Sequence, residues 1–316
     1  MKILIVGYGS IGRRHFKNFI KFSEVRVFDE KNNKKKLPFF NDIKSSIEWE
    51  PDGVVIATPT DCHVDVAQNF IGKTRQILIE KPISNNFKSA LEFEKLNKDK
   101  INEIFVVSNI RFHQALEVIK KKMNILGKIF FVRSHFGNWL PNMRPGVNYK
   151  NNYSSSREKS GGIILDCIHE IDYLNYLFGN IEKIYCLKKK KSNLDISVED
   201  ICILIIKHED GVISELHLDY LRPIKKRGCE VVGANGTLIW ESEGKDPEKC
   251  TVKYCDRKSK NFKNIFFDSN LDSNLPYENL AREFISSIKQ GSKGKILTAR
   301  NAVAQLKLIE NCKVLD

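Results

Sequence analysis

Two different hydrophobic rhythms divide this chain. Through its first third, short unbroken apolar runs alternate with stretches whose apolar residues recur every three to four positions. The runs are Ile3-Leu4-Ile5-Val6, Val25-Arg26-Val27-Phe28, Gly53-Val54-Val55-Ile56-Ala57, Gln76-Ile77-Leu78-Ile79 and Ile104-Phe105-Val106-Val107. Runs that short and that continuous read as strands buried on both faces of a parallel sheet. Helical spacing falls between them, over residues 13–22, 61–71 and 88–96, with Asp61 placed to cap the second of these helices. Such β–α alternation predicts an α/β, doubly wound parallel sheet, in which ligands bind beyond the carboxyl ends of the strands. Four strand-end segments, residues 7–12, 58–60, 80–82 and 109–113, are expected to converge on one crevice.

After a helical pattern at 114–125 the rhythm changes. A strand at 128–135 leads into a polar loop over 138–160, and one amphipathic helix is predicted over 163–178. Strand-like runs then follow without intervening helices, at 181–187, 198–207, 212–220, 229–232, 237–240 and 251–254. Asp210-Gly211 and Asn235-Gly236 stand between such runs, where two-residue hairpin turns require them. Helical patterns at 277–289 and 298–311 close the chain. An α+β unit with a large, mostly antiparallel open sheet fits this region. A chain of 316 residues has room for two such domains, and the change of rhythm places their boundary between 123 and 124.

The first strand runs directly into Gly7-Tyr8-Gly9-Ser10-Ile11-Gly12, a G-x-G-x-x-G turn opening a helix. Glycines at that spacing allow a sharp turn, close approach of the backbone to a pyrophosphate, and tight packing of helix on strand. The free N–H groups at the helix start face the phosphate. The second strand ends at Asp29, about 20 residues past the first glycine, where a carboxylate accepts bonds from ribose hydroxyls. Residues 1–123 are therefore expected to form a Rossmann dinucleotide-binding domain. An acid at Asp29 repels a 2′-phosphate, so NAD is expected in preference to NADP, with Lys31 and Lys34 acting in the opposite sense.

Composition narrows the classes that remain. Apolar content of 41% is ordinary for a globular protein, and no apolar run approaches the roughly 20 residues that cross a bilayer. The eight cysteines stand singly, with no C-x-x-C, which reads as free thiols in a reducing cytoplasm rather than a disulfide or zinc framework. The formal charge is +13, with basic clusters at 34–36, 120–122, 188–191 and 225–227. No aromatic-basic interleaving accompanies them, so they read as solvated lysine and arginine rather than a nucleic-acid surface, although a positive field favours an anionic small substrate.

Within the predicted helix over 163–178, Ile164, Ile168, Ile171, Leu174 and Phe178 fall on one stripe. Asp166, His169, Glu170 and Tyr173 fall opposite, and Asp166 and His169, three apart, are neighbours able to act on one small molecule. Gly161-Gly162 before them permits close backbone approach. From pattern alone such a pair reads first as a solvated polar face; the long upstream loop with its aromatics, Arg and Ser, and a dinucleotide site that requires a reacting partner, raise the reading as a catalytic couple.

Together these segments resemble the Gfo/Idh/MocA family of nicotinamide-dependent oxidoreductases over nearly the full length. The resemblance rests on the glycine turn, Ala57-Thr58-Pro59-Thr60 with His63, Glu80-Lys81-Pro82, Asn109-Ile110-Arg111-Phe112-His113, and the stretch from Gly161-Gly162 through Asp166, His169 and Asp172. It implies cofactor contacts from Gly7, Tyr8, Gly9, Ser10, Ile11, Gly12, Asp29, Thr58, Pro59, His63, Glu80, Lys81, Pro82 and Asn109. It also implies a mechanism in which His169 takes a sugar hydroxyl's proton while hydride passes to the nicotinamide. His suits that role because its unperturbed pKa is about 6.5. Lys81 would hold the substrate oxygen, and Asp166 would orient Lys81 or bind a neighbouring hydroxyl. Many family members place the Asp four residues before the His; here the interval is three.

Arg111, Arg144, Tyr149 and Tyr153 are further candidates for substrate binding. Asn109, Arg111 and His113 read either as a border of the substrate or as the end of a strand and the cap of the next helix. His63 reads as a cofactor contact or as part of its own helix's first turn. No metal is expected. The segment from Trp139 to Tyr173 resembles a branch associated with surface-polysaccharide and nucleotide-sugar pathways. The expected partner is a sugar or nucleotide-sugar substrate, with no nucleic acid and no membrane, in a homodimer or homotetramer. A dinucleotide-binding sugar or redox sensor without turnover is the rival reading.

Overall fold

A computed structural model describes residues 1–30, 38–144, 146–158, 161–291 and 294–315. In chain order the first elements are β1 (Lys2–Val6), α1 (Ser10–Phe19), β2 (Glu24–Phe28), β3 (Phe39–Phe40), α2 (Ile43–Glu48), β4 (Gly53–Ile56), α3 (His63–Gln68), β5 (Gln76–Ile79), α4 (Phe87–Leu96) and β6 (Ile104–Val106). Next come α5 (Gln114–Lys122), β7 (Ile129–Gly137), α6 (Ile163–Asp166), α7 (Ile168–Phe178), β8 (Ile181–Lys189), β9 (Ile201–His208), β10 (Ile213–Asp219), β11 (Lys226–Gly233), β12 (Gly236–Glu243), β13 (Glu248–Asp256) and β14 (Phe262–Leu271). The last are α8 (Leu275–Gln290), β15 (Leu297–Thr298), α9 (Ala299–Glu310) and β16 (Lys313–Val314). Among the described residues no helix is long and apolar enough to cross a membrane.

The chain divides into two compact units, Met1–Asn109 with Leu275–Lys307, and Ile110–Asn274 with Leu308–Asp316. The first holds a seven-stranded sheet in the order β15-β6-β5-β4-β1-β2-β3, in which β1 pairs in parallel with both β2 and β4. Strand order reverses beside β1, so its carboxyl end opens at the switch point where α/β sheets bind ligands. The apolar runs are buried on both faces as a parallel sheet requires; Ile3, Leu4, Ile5, Val54, Val55 and Ile56 are all fully buried. Helix α8 returns to this unit from late in the sequence because its apolar face needs the sheet. Phe284, fully buried, meets Phe19 and Phe105 edge to face at ring-centroid separations of 6.0 and 6.4 Å. The boundary read between 123 and 124 therefore falls inside the second unit, and the first unit is discontinuous in sequence.

The second unit is a nine-stranded sheet in the order β14-β13-β12-β11-β7-β10-β9-β8-β16. Most pairs are antiparallel; β7 with β10 and β8 with β16 are parallel. Alternation sets the two faces: on β9, Cys202, Leu204 and Ile206 are buried in the core while Ile205 is 38% exposed. Helix α7 brings Ile171 and Leu174 to that core. Strand β14, unanticipated in sequence, lies at the sheet edge with nearly every residue exposed or half-buried, so no period-2 contrast marks it.

The helix expected over 163–178 is two helices, broken at Cys167 (φ −106°, ψ 24°). Its supposed polar side is also buried: Glu170 and Tyr173 are 0% exposed. Asp61 does not cap a helix; it lies in a 3₁₀ turn over Thr60–Cys62 that precedes α3.

Phe284→Ala is expected to destabilise the first unit by about 3–5 kcal/mol, through lost burial and the cavity left behind. Phe267→Ser, on exposed β14, should change stability by less than about 0.5 kcal/mol. Urea denaturation of both variants against the parent checks the contrast.

Candidate functional site

In the first unit the glycine turn is built by steric necessity. Gly7 adopts φ +93°, and a Cβ there would lie 2.7 Å from the Ala57 carbonyl oxygen. A Cβ on Gly12 would collide with the carbonyl of Gly7, whereas one on Gly9 would meet nothing within 4 Å. Gly7 and Gly12 are thus glycines for packing, and Gly9 leaves open space over the start of α1 at Ser10 and Ile11. Asp29 accepts a hydrogen bond from the Tyr8 amide, which ties the acid ending β2 to the turn. Beyond β4, among the described residues, the Thr58 hydroxyl oxygen is buried with no hydrogen-bond partner. An open glycine cradle at a helix start, an acid fixed beside it and an orphaned hydroxyl at the next strand end fit an adenine dinucleotide.

His63, at the head of α3, brackets two of these strand ends. Its Nδ1 lies 2.8 Å from the Pro82 carbonyl and its Nε2 3.0 Å from the Thr58 carbonyl. Burial holds its pKa below the ordinary histidine value despite those carbonyls. The ring therefore positions Thr58-Pro59 against Lys81-Pro82. His15 lies buried with Nε2 2.7 Å from Glu80 Oε1, while Glu80 Oε2 accepts from the Lys81 amide. Burial opposes charge on Glu80, but His15 and Lys81 outweigh it and keep the carboxyl below its usual range. Lys81 is thus held at its backbone by Glu80, and Glu80 by α1. Asn109 is half-buried at the end of the first unit's leading segment. Lys31, Lys34 and the rest of the basic cluster at 34–36 lie outside the described residues.

In the second unit Asp166 is a hub. Its Oδ1 accepts from the Tyr153 hydroxyl and lies 3.4 Å from Arg144 Nη2; its Oδ2 accepts from Ser154 Oγ at 2.8 Å and the Tyr220 hydroxyl at 3.2 Å. Arg144 also donates to Ser154 Oγ and the Tyr153 hydroxyl at 2.7 and 2.9 Å. Burial disfavours the Arg144 charge, yet Asp166 and the neighbouring phenols hold its pKa above the ordinary value. Burial together with Asp166 pushes the Tyr220 phenol well up. Gly161 explains how the loop lies so close: a Cβ there would overlap the Tyr153 carbonyl. Asp166 is engaged with the loop that carries Arg144 and Tyr153. Tyr149 is half-buried and accepts from the Asp195 amide at 3.3 Å.

His169 lies at a buried ion pair. Arg227 Nε donates to Glu170 Oε1 at 2.8 Å, and His169 Nε2 stands 3.1 Å from Arg227 Nη2 and 3.2 Å from Glu170 Oε1. Burial opposes ionisation of Glu170, but Arg227 and His169 hold its pKa below the ordinary range. Two residues away on the same run, Lys225 donates to Glu248 Oε2 at 2.7 Å, and Glu248 Oε1 lies 2.9 Å from His113 Nε2. His113 Nδ1 accepts from the Ala115 amide, so Nε2 carries the proton and donates to Glu248. His113, Glu248 and Cys250 offer donor atoms within 4.8 Å of one another, but this ammonium and this N–H already satisfy the carboxylate.

Two expectations change. Lys225 and Arg227, read as solvated, are half-buried and buried respectively and both are paired, Lys225 just before β11 and Arg227 within it. Arg111, read as a substrate contact, is buried and bidentate to Asp172 at 2.6 and 2.7 Å, and its guanidinium lies over the Tyr176 ring. Sequence reasoning missed His15, Ser154, Arg227 and Glu248 as partners. A buried ion pair between distant positions carries no local spacing, and only the tight apolar flanks of β11 hinted at it.

Residues 1–108 match the family described as an oxidoreductase family with an NAD-binding Rossmann fold, and residues 112–239 match the GFO/IDH/MocA C-terminal domain. The glucose-6-phosphate 3-dehydrogenase of Bacillus subtilis is similar, at 27% identity over 193 residues, 56% of this chain and 53% of that protein. The chain spans about half the length of the curated relatives it matches. An NADPH-dependent oxidoreductase from Desulfitobacterium hafniense shares the fold with a TM-score of 0.83 at 17% identity, over 99% of this chain and 94% of that one. The WlbA dehydrogenase of Bordetella pertussis, in complex with NADH and UDP-GlcNAcA, shares it with a TM-score of 0.73 at 17% identity, over 98% and 94%.

Burial opposes charge on Glu248, but His113 and Lys225 hold its carboxyl well below the ordinary value of 4.5. A carboxyl with a depressed folded pKa contributes stability that is complete above its unfolded pKa and is lost as pH falls through the folded one. Stability is therefore expected to drop progressively below about pH 4.5. Glu248→Gln should be less stable at neutral pH and show a shallower acid dependence. Urea midpoints from about pH 3 to pH 7 test this.

Proposed function

The chain belongs to the Gfo/Idh/MocA family, and on that premise we propose an NAD-dependent oxidoreductase acting on a hydroxyl or keto carbon of a sugar or nucleotide sugar. One observation carries the reading: a glycine cradle, a tethered acid and a Glu80-anchored Lys81 share the carboxyl edge of one sheet. The formal charge of +13 suits an anionic substrate, and the nucleotide sugar held by the WlbA dehydrogenase supports that class. A role in surface-polysaccharide or glycan precursor synthesis follows from the same class.

Bound NAD would supply the hydride acceptor in oxidation and the donor in reduction. His169 takes the hydroxyl proton as the C–H hydride leaves, and returns it in the reverse direction. The Lys81 ammonium holds the substrate oxygen and stabilises developing alkoxide charge. Asp166 acts through the loop it anchors, setting Arg144 and Tyr153 at the substrate's remaining hydroxyls. The apolar residues on the open sheet face, among them Phe131 and Ile213, 40% and 51% exposed, suit pairing with a second copy.

The test incubates protein and NAD⁺ with free and UDP-linked sugars and follows absorbance of the reduced nicotinamide. His169→Ala is expected to lower kcat by about 10²–10⁴-fold while leaving NAD affinity unchanged. Unaltered turnover removes His169 from the mechanism. Cofactor binding with no turnover on any sugar favours the sensor reading.

A further inference from the structure

Next to Lys81 lies a buried charge that the proposed steps do not use. Glu80 is 7% exposed, with His15 Nε2 2.7 Å from its Oε1 and the Lys81 amide donating to its Oε2. His15 is 0% exposed, and among the described residues its Nδ1 has no hydrogen-bond partner. An apolar side chain would fill that place without burying a bare nitrogen, so what the imidazole adds is a donor to the carboxylate. Other groups face Glu80 from the helices packed on it. Helix α3 supplies His63, and α8 supplies Tyr277, whose hydroxyl is bonded by Arg14 of α1. Burial holds the His63 ring below its ordinary pKa, and burial followed by Glu80 pushes the Tyr277 phenol up. Lys81 is a cation, and after His15 it favours the ionised carboxylate. Such coupling is reciprocal: a carboxylate favoured by an ammonium favours that ammonium by the same amount.

We infer that Glu80 is the counter-ion of Lys81 and that His15 is the positioning residue that fixes it: the imidazole holds the carboxylate against the Lys81 amide, and the carboxylate holds Lys81 in its ammonium form. This rests on the proposed oxidoreductase reading, in which Lys81 must stay cationic to stabilise a developing alkoxide. His15 carries its proton on Nε2, because an ionised carboxylate oxygen at that distance only accepts. With one donor on each oxygen, Glu80 is kept from turning away from the strand end. No proton passes through the pair during turnover. Glu80 and His15 act through Lys81, and neither is required to touch substrate. Without the counter-ion Lys81 loses its proton at lower pH, which brings down the alkaline limb of the rate profile.

Trace acetylation of the protein without cofactor, with acetic anhydride and peptide mass spectrometry, follows the protonation of Lys81 without any turnover. Glu80→Gln is expected to lower the pH at which Lys81 becomes half-reactive by about one unit or more. His15→Leu should lower it less, because the carboxylate stays but is no longer held. His15→Gln, whose amide restores a donor, should return the parent value. With an active sugar substrate, the alkaline limb of kcat/KM should follow the same order while the acid limb stays in place. An unmoved Lys81 in Glu80→Gln overturns the counter-ion. A parent value in His15→Leu, or a shift that His15→Gln does not reverse, overturns the role of His15. If His15→Leu does not fold, Glu80→Gln decides alone. A protein that oxidises or reduces no sugar would remove the oxidoreductase reading while leaving the labelling result standing.

Discussion

A carboxylate taken out of water must find donors, and that single requirement organises both units. Glu80 binds His15 and the Lys81 amide, so α1 and the end of β5 are held to one another. Asp166 gathers two phenols, a serine and a guanidinium. Asp172 takes Arg111 bidentately, Glu170 takes Arg227, and Glu248 takes Lys225 and His113. Apart from the Lys81 amide, each partner lies 12 or more residues away in sequence. Without the pairing, the desolvation of each charge would amount to several kcal/mol.

Such pairs contribute little net stability compared with apolar residues of the same volume, but removing one partner is strongly destabilising. Their effect is to restrict the fold to one arrangement. The loop over 138–160 illustrates this: among its described residues no helix is longer than one 3₁₀ turn, yet Arg144, Tyr153 and Ser154 all converge on Asp166. Gly161 permits the approach and Asp166 rewards it. A loop held in this way can present side chains as reproducibly as a strand does.

Charges at the start of β11 and just before it follow the same logic. Lys225 and Arg227 lie two residues apart and face two carboxylates, Glu248 and Glu170, and each carboxylate in turn meets a histidine. Two cations and two anions balance, so both imidazoles are accommodated without a net buried charge. His113 is kept below its ordinary pKa, by burial first and by Arg227 and Lys225 besides, against the pull of Glu248. A basic cluster that looks solvated in one dimension is, in three, the counter-charge of a buried network.

How much was legible in advance depends on whether the information is local. Five of the seven strands of the first unit, the glycine turn and Asp29 were readable because sterics and burial on both faces act within a few residues, as Gly7 beneath the Ala57 carbonyl shows. Family membership was readable for the same reason, since its motifs are short and contiguous. The break at Cys167, the edge strand Phe262–Leu271, the return of Phe284 to the first sheet and the partners of Asp166, Glu170 and Arg111 were not. Periodicity registers a buried face but not which charge across the core satisfies a buried acid. Sequence alone therefore determined the parallel strands around β1 and the dinucleotide cradle, because those are set by neighbours along the chain. Tertiary structure alone decided which ionised groups are paired, because desolvation is relieved only by residues that folding brings together.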